Sequence, residues 1–206
     1  MLLDLFTDPD RFFDRELEEG GFLRPTAVVA TLGVVNALGG IPVVEATFAA
    51  LPDEAAAFAG IGYASAIVGG FLGAFFVWLL YAVVFLAIAR IAFDGDGSFQ
   101  RTLRATAWGF LPAIVATAAS AVAAYYVLQS VTFPSDPMQI EAFAARLQRR
   151  PPFVAAGVIG VFLTLAQAFI WTFGVRHAQG IELRDAAIAV AIPVAVSILW
   201  QVYNLA

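Results

Sequence analysis

Residues 55–89 read AAAFAGIGYASAIVGGFLGAFFVWLLYAVVFLAIA, an uncharged run of 35 residues bounded by Glu54 and Arg90. About 20 apolar residues suffice for a helix to cross ~30 Å of hydrocarbon. As one helix this run would be about 52 Å long at 1.5 Å per residue. Two spans and a turn would need more residues than it has, and no proline or Asn-Gly turn divides it. The run therefore reads as one long or tilted membrane helix over about 58–91, its first turns in the outer interface. Asp53 and Glu54 suit its N-terminus by capping and by the helix dipole. A break at Gly69-Gly70 is the alternative.

Working outward, four more segments meet the same criterion: about 26–50, interrupted only by Glu45, then 104–131, 152–176 and 185–206. The fold class is thus an all-α integral membrane protein, a bundle of five transmembrane helices. Residues 1–24 form an N-terminal amphipathic segment and 25–206 the membrane domain. The composition agrees. The chain is 61% hydrophobic and only 13% charged, with mean hydropathy +0.85, well outside the range of ordinary globular chains.

Orientation follows from arginine placement. Arg11, Arg15, Arg24, Arg90, Arg101, Arg104, Arg176 and Arg184 fall on the N-terminal side, against Arg146, Arg149 and Arg150 on the other. The N-terminus is expected in the cytoplasm, the C-terminus outside, and the protein in the cell membrane as a multi-pass chain. Residues 1–24 carry seven acidic residues and lack a secretory signal. Trp108 and Trp171 fall toward the cytoplasmic interface, and Tyr125, Tyr126, Trp200 and Tyr203 toward the outer one.

Two segments read as interfacial helices. After Asp136-Pro137, the positions Ile140, Phe143, Ala144 and Leu147 repeat at helical spacing, which predicts an outer amphipathic helix over about 136–148. TDPDRFFDRELEEG, residues 7–20, has a capped start and an acidic face opposite Phe12, Phe13 and Leu17. It rests on the membrane surface or packs under the bundle.

Chemistry-bearing residues are sparse. Cysteine is absent, all eleven basic residues are arginines, and His177 is the one histidine, so cysteine-ligated metals and disulfides are excluded. Net charge −5 argues against nucleic acid as a partner. No hydrolase, metalloprotease, P-loop or dinucleotide motif occurs. DGDG at 94–97 lacks the later residues of a calcium loop and reads as a flexible turn. The chain is therefore read as a non-enzyme without cofactor or metal.

Small and polar residues form one stripe per span: Gly33, Asn36 and Gly40; Gly62, Ser65, Gly69 and Gly73; Ala105, Gly109, Pro112 and Ala116; Gly160, Thr164, Gln167 and Trp171; Pro193, Ser197, Gln201 and Asn204. Such stripes are either packing faces or the walls of a polar cleft. Asn36, Glu45, Gln167 and Gln201 are the candidate intramembrane polar residues. Glu45 lies near the outer interface, and a solvated role is favoured over a buried one.

Residues 97–114, GSFQRTLRATAWGFLPAI, lead from a polar turn into a small-aromatic-proline element at Trp108-Gly109-Phe110-Leu111-Pro112. With DPDRFF at 8–13 and the five-span layout, this resembles the Yip family, the Ypt/Rab-interacting integral membrane proteins. The lysine-free, acidic composition is that of a prokaryotic, haloarchaeal member. The resemblance implies a non-enzymatic scaffold or adaptor for partner proteins. Arg101, Arg104, Trp108 and Pro112 are the candidate contacts to a partner or lipid, on a cytoplasmic surface built from residues 1–24, 92–104 and 176–185. The alternative is a small transporter, channel-like or lipid-handling protein that uses the polar helix faces. Expected partners are membrane lipids, a protein on the cytoplasmic face and a second copy of the chain.

Overall fold

The computed structural model describes residues 2–51, 57–134 and 137–205, with the side chains of 137, 140 and 141 set aside. The described residues form helices only: α1 (Asp4–Thr7), α2 (Pro9–Glu19), α3 (Leu23–Phe48), α4 (Ala59–Phe93), α5 (Phe99–Trp108), α6 (Phe110–Leu128), α7 (Pro137–Gln148), α8 (Pro151–Gln179) and α9 (Leu183–Leu205). Five of them, α3, α4, α6, α8 and α9, are long and apolar enough to cross a membrane. Their outward faces carry exposed apolar side chains such as Leu72, Phe76, Phe162 and Leu199, the surface that a helix presents to lipid.

Local chemistry sets the ends of these helices. Asp8 caps α2 by accepting from the Arg11 N–H at 3.3 Å, with Pro9 in the first turn. Ser98 does the same for α5 through the Arg101 N–H at 3.2 Å. Pro151 and Pro152 open α8, and Gly180, at φ +68°, ends it. α4 stops at Asp94, which turns left-handed at φ +52° so that the Gly95 N–H reaches the Ala89 carbonyl at 3.0 Å. The expected caps of α4 (Asp53, Glu54) and α7 (Asp136), and the side chain of Ile140, lie outside the described residues.

From Ala59 onward, the run that opened the sequence reading is one unbroken helix, α4, which continues past Arg90 to Phe93. The third hydrophobic run, expected as one span over 104–131, is two helices. Gly109 ends α5 and begins α6: Pro112 has no N–H to carry the helical ladder back to the Trp108 carbonyl, and residue 109 is glycine at a point where a Cβ would overlap the Trp171 indole. Pro112 falls in the first turn of α6, where its missing N–H costs nothing.

The spans form a ring in the order α4, α3, α6, α8, α9, with the sparsest contact where α9 returns to α4. Glycines let α3 and α4 approach. A Cβ on Gly70 would lie 2.8 Å from the Ala37 nitrogen, and one on Gly33 would lie 2.9 Å from the Phe71 oxygen. The contact face of α4 thus runs Gly62, Ala66, Gly70. This face shares Gly62 with the expected stripe and then runs one residue later, at Ala66 and Gly70, while a Cβ on Gly69 or Gly73 would meet open space.

The amphipathic N-terminal segment packs under the ring. Leu5, Phe12, Phe13 and Leu17 are buried in the main core with Trp108, Trp171 and Val175. At the opposite end, α7 rests on α6, where Leu147 joins Ala124, Val127 and Leu128, and Phe143 meets Phe133 at 5.0 Å.

Candidate functional site

At the end that carries the N-terminus, the interior is closed by aromatic rings. Trp171 stacks on Tyr81 at 4.7 Å and meets Phe85 and Phe110 edge-on at 5.2 and 5.4 Å. The chain break at Gly109 explains how this plug is held. A helix leaves its last four carbonyls without partners, and one of these on α5, the Thr106 carbonyl, accepts from the Trp171 indole N–H at 2.7 Å. The Trp78 indole donates to the Leu103 carbonyl at 2.7 Å. Trp108-Gly109-Phe110-Leu111-Pro112 is therefore an elbow, and the two tryptophans expected toward a headgroup interface are buried against protein instead.

Below the plug, α2 is clasped to the end of α8. Asp10 pairs with Arg176 and, at 2.8 Å, with His177 Nε2, while Asp14 meets His177 Nδ1 at 2.9 Å. Arg104 donates to the Glu16 carbonyl at 2.5 Å, and Phe12 meets Trp108 edge-on at 5.0 Å. The Glu16 side chain is buried, 3.6 Å from Arg24. Burial raises its pKa, and Arg24, Arg104 and Arg15 oppose that rise. The 94–98 turn is pinned rather than loose: the Asp96 N–H donates to the Gln179 carbonyl at 3.2 Å, and Arg90 donates to the Gly97 carbonyl at 3.0 Å.

Above the plug the ring is hollow. A cavity of about 450 Å³ touches all five spans and includes Asn36, Gly69, Gly73, Tyr81, Thr117, Thr164, Gln167, Ser197 and Gln201 in its wall. A second cleft of about 430 Å³ shares Ala113, Thr117, Thr164, Gln167 and Gln201 with it and runs on past Ser120, Gly157 and Trp200 to Asn204 and Leu205. The two make one passage from mid-bundle toward the end opposite the N-terminus.

Part of its polar lining is satisfied internally. Gln201 Nε2 donates to Thr164 Oγ1 at 3.0 Å, and Tyr81 and Ser197 share a 2.8 Å hydroxyl bond. The amides of Asn36 and Gln167 make no hydrogen bond among the described residues, although Gln167 is only 8% exposed. No Asp, Glu, Arg or His lines either part of the passage, so the site offers hydrogen bonds and no fixed charge. Among the described residues no cluster of three or more His, Asp or Glu side chains could hold a metal.

The structure thus divides the residues singled out from sequence into separate groups. Asn36, Gln167 and Gln201 come together in the cavity. Glu45 does not join them. It is exposed in a separate cleft with Pro42, Tyr125 and Gln129. Arg101 is exposed and donates to the His177 carbonyl at 3.2 Å, Arg104 is half-buried against α2, and Trp108 and Pro112 are buried. The sequence reading had missed Tyr81 and Thr117 in the wall, the Asp10 and Asp14 clasp, and the buried Gln179–Thr102 pair. Hydroxyls among alanines carry no periodic signal, and the clasp joins residues far apart in sequence.

The Yip1 domain family matches residues 3–204. An uncharacterized protein of the archaeon Methanocaldococcus jannaschii is 28% identical over 127 residues, which covers 61% of this chain and 89% of that protein. No solved structure matches the chain. With five membrane-length helices and a family match over nearly its whole length, the chain is a membrane protein of the Yip1 domain family.

Proposed function

We propose that the protein is a non-enzymatic scaffold or adaptor of the cell membrane, with its N-terminal end in the cytoplasm and a partner protein docked there. The observation that carries this reading is the clasp of α2 under the ring by Asp10, Asp14, Arg176 and His177. The clasp joins α2 to the end of α8, and Arg101 and Arg104 tie α5 to the same two helices. Three chain segments thus form one preassembled charged surface, and preorganisation lowers the entropy cost of binding. Exposed Glu18, Glu19, Asp96, Arg101, Glu182 and Arg184 decorate this surface. The arginine excess on this side supports the orientation. Arg101 and Arg184 are its exposed contact residues, Arg101 held in place by its bond to the His177 carbonyl, whereas Arg104 acts by holding α2.

A photo-crosslinking residue at position 101, compared with one at position 149, tests this in native membranes. A discrete adduct with another protein from position 101 and none from 149 is expected. Adducts only from 149, or none from 101, would contradict the reading. The hollow ring favours a second reading, in which the polar helix faces handle a lipid or solute.

A further inference from the structure

We propose that the passage above the aromatic plug is a binding site for an uncharged glycerolipid, a diacyl- or dialkylglycerol, whose oxygens are held by the amides of Gln167 and Asn36. Three observations converge on that class of ligand. Gln167 is more than nine-tenths buried, lines the cavity and lacks a protein partner among the described residues. Its amide can both donate and accept, which matches a lipid hydroxyl beside an ester or ether oxygen. No carboxylate, arginine or histidine lines the passage, so a phosphate or ammonium headgroup would enter without a counter-charge.

The rest of the wall suits hydrocarbon. Leu32, Val77, Phe110 and Ala113 line the inner cavity, and Phe153, Ala156 and Leu205 line its continuation. Trp200 stands at the open end, 67% exposed and 6.2 Å from the ring of Tyr203. Such aromatics favour the hydrocarbon–headgroup boundary, where a lipid would enter. Gly69 and Gly73 face open space where α4 and α9 meet most sparsely, which leaves room for an acyl chain.

The test uses the full chain in phosphatidylcholine nanodiscs with a photoactivatable diacylglycerol as probe. Saturable labelling of the segments 113–120 and 160–167 is expected, competed by unlabelled diacylglycerol and not by phosphatidylglycerol. Gln167→Leu should lower labelling about tenfold, the effect of one lost hydrogen bond near the upper end of its range. Gly73→Leu should do the same by filling the cavity, and it should keep the wild-type melting temperature because a Cβ there meets no atom within 4 Å and the rest of the side chain extends into the cavity's space. Unsaturable labelling, equal competition by the charged lipid, or unchanged labelling in both variants would overturn the proposal.

Discussion

The two ends of the ring are built from the same apolar helices and solve opposite problems. At the N-terminal end, large rings fill the axis, and an elbow at Gly109 frees the Thr106 carbonyl for the Trp171 indole. At the other end, alanine, threonine and amide side chains leave a passage between α6, α8 and α9. Both ends bury polar groups. Below the plug they are packed solid and paired in part across the chain, as in Arg104 with the Glu16 carbonyl and Gln179 with Thr102, while Glu16 Oε1, Arg104 Nε, Trp108 Nε1 and Gln179 Oε1 are enclosed without a partner. In the passage the Asn36 and Gln167 amides face space. Closure here depends on a few side chains that span the axis, and hydrophobicity does not distinguish the ends.

Removing the plug should have the largest effect on that difference. Trp171→Ala is expected to cost about 3–5 kcal/mol, the range for deleting a buried aromatic side chain, and to extend the hollow down to α5. Unfolding in detergent would read the loss. Gly109→Val attacks the same plug from the elbow. Overpacking against the indole should cost about 1–3 kcal/mol, and a red-shifted tryptophan emission would report the displaced Trp171.

A paired substitution compares packed and hollow faces on a single helix. Gly70→Val meets the α3 backbone and should destabilise by about 1–3 kcal/mol. Gly69→Val enters open space and should stay within about 0.5 kcal/mol of wild type. Equal melting shifts for the two would mean that the packing face of α4 is misplaced.

The smallest effect concerns Glu16. Its raised pKa means that the folded protein holds the proton more tightly than the unfolded chain does. That stabilisation is complete below the ordinary carboxylate value of 4.5 and is lost as pH rises through the raised value. Glu16→Gln should flatten this dependence of α2 docking, followed by proteolysis of the N-terminal segment across pH 4 to 8.

The five spans were legible because length and hydrophobicity suffice to mark a membrane helix, and α4 appeared as one helix for the same reason. The break at Gly109 was not legible. An isolated glycine in an apolar run signals little, and the indole that requires a glycine at 109 comes from a helix more than 60 residues away. The amides Asn36, Gln167 and Gln201 stood out as rare polar residues inside spans, and the fold collects them. The choice between Gly69 and Gly70 as packing residue turns on a rotation of about 100° per residue, which composition does not encode. Arg104 read as a surface charge because nothing in its own segment reveals that α2 folds back onto it.

The asymmetry between the ends is most directly tested by thiol accessibility, since the chain has no cysteine of its own. Single cysteines replacing Thr117 and Gln201, in the passage, and Thr102 and Thr106, below the plug, would be reacted with a small water-soluble thiol reagent in delipidated detergent. Thr117→Cys and Gln201→Cys should react readily, and Thr102→Cys and Thr106→Cys at least about tenfold more slowly, as sites that must wait for local opening. Equal rates at the two ends, or faster reaction below the plug, would contradict the account.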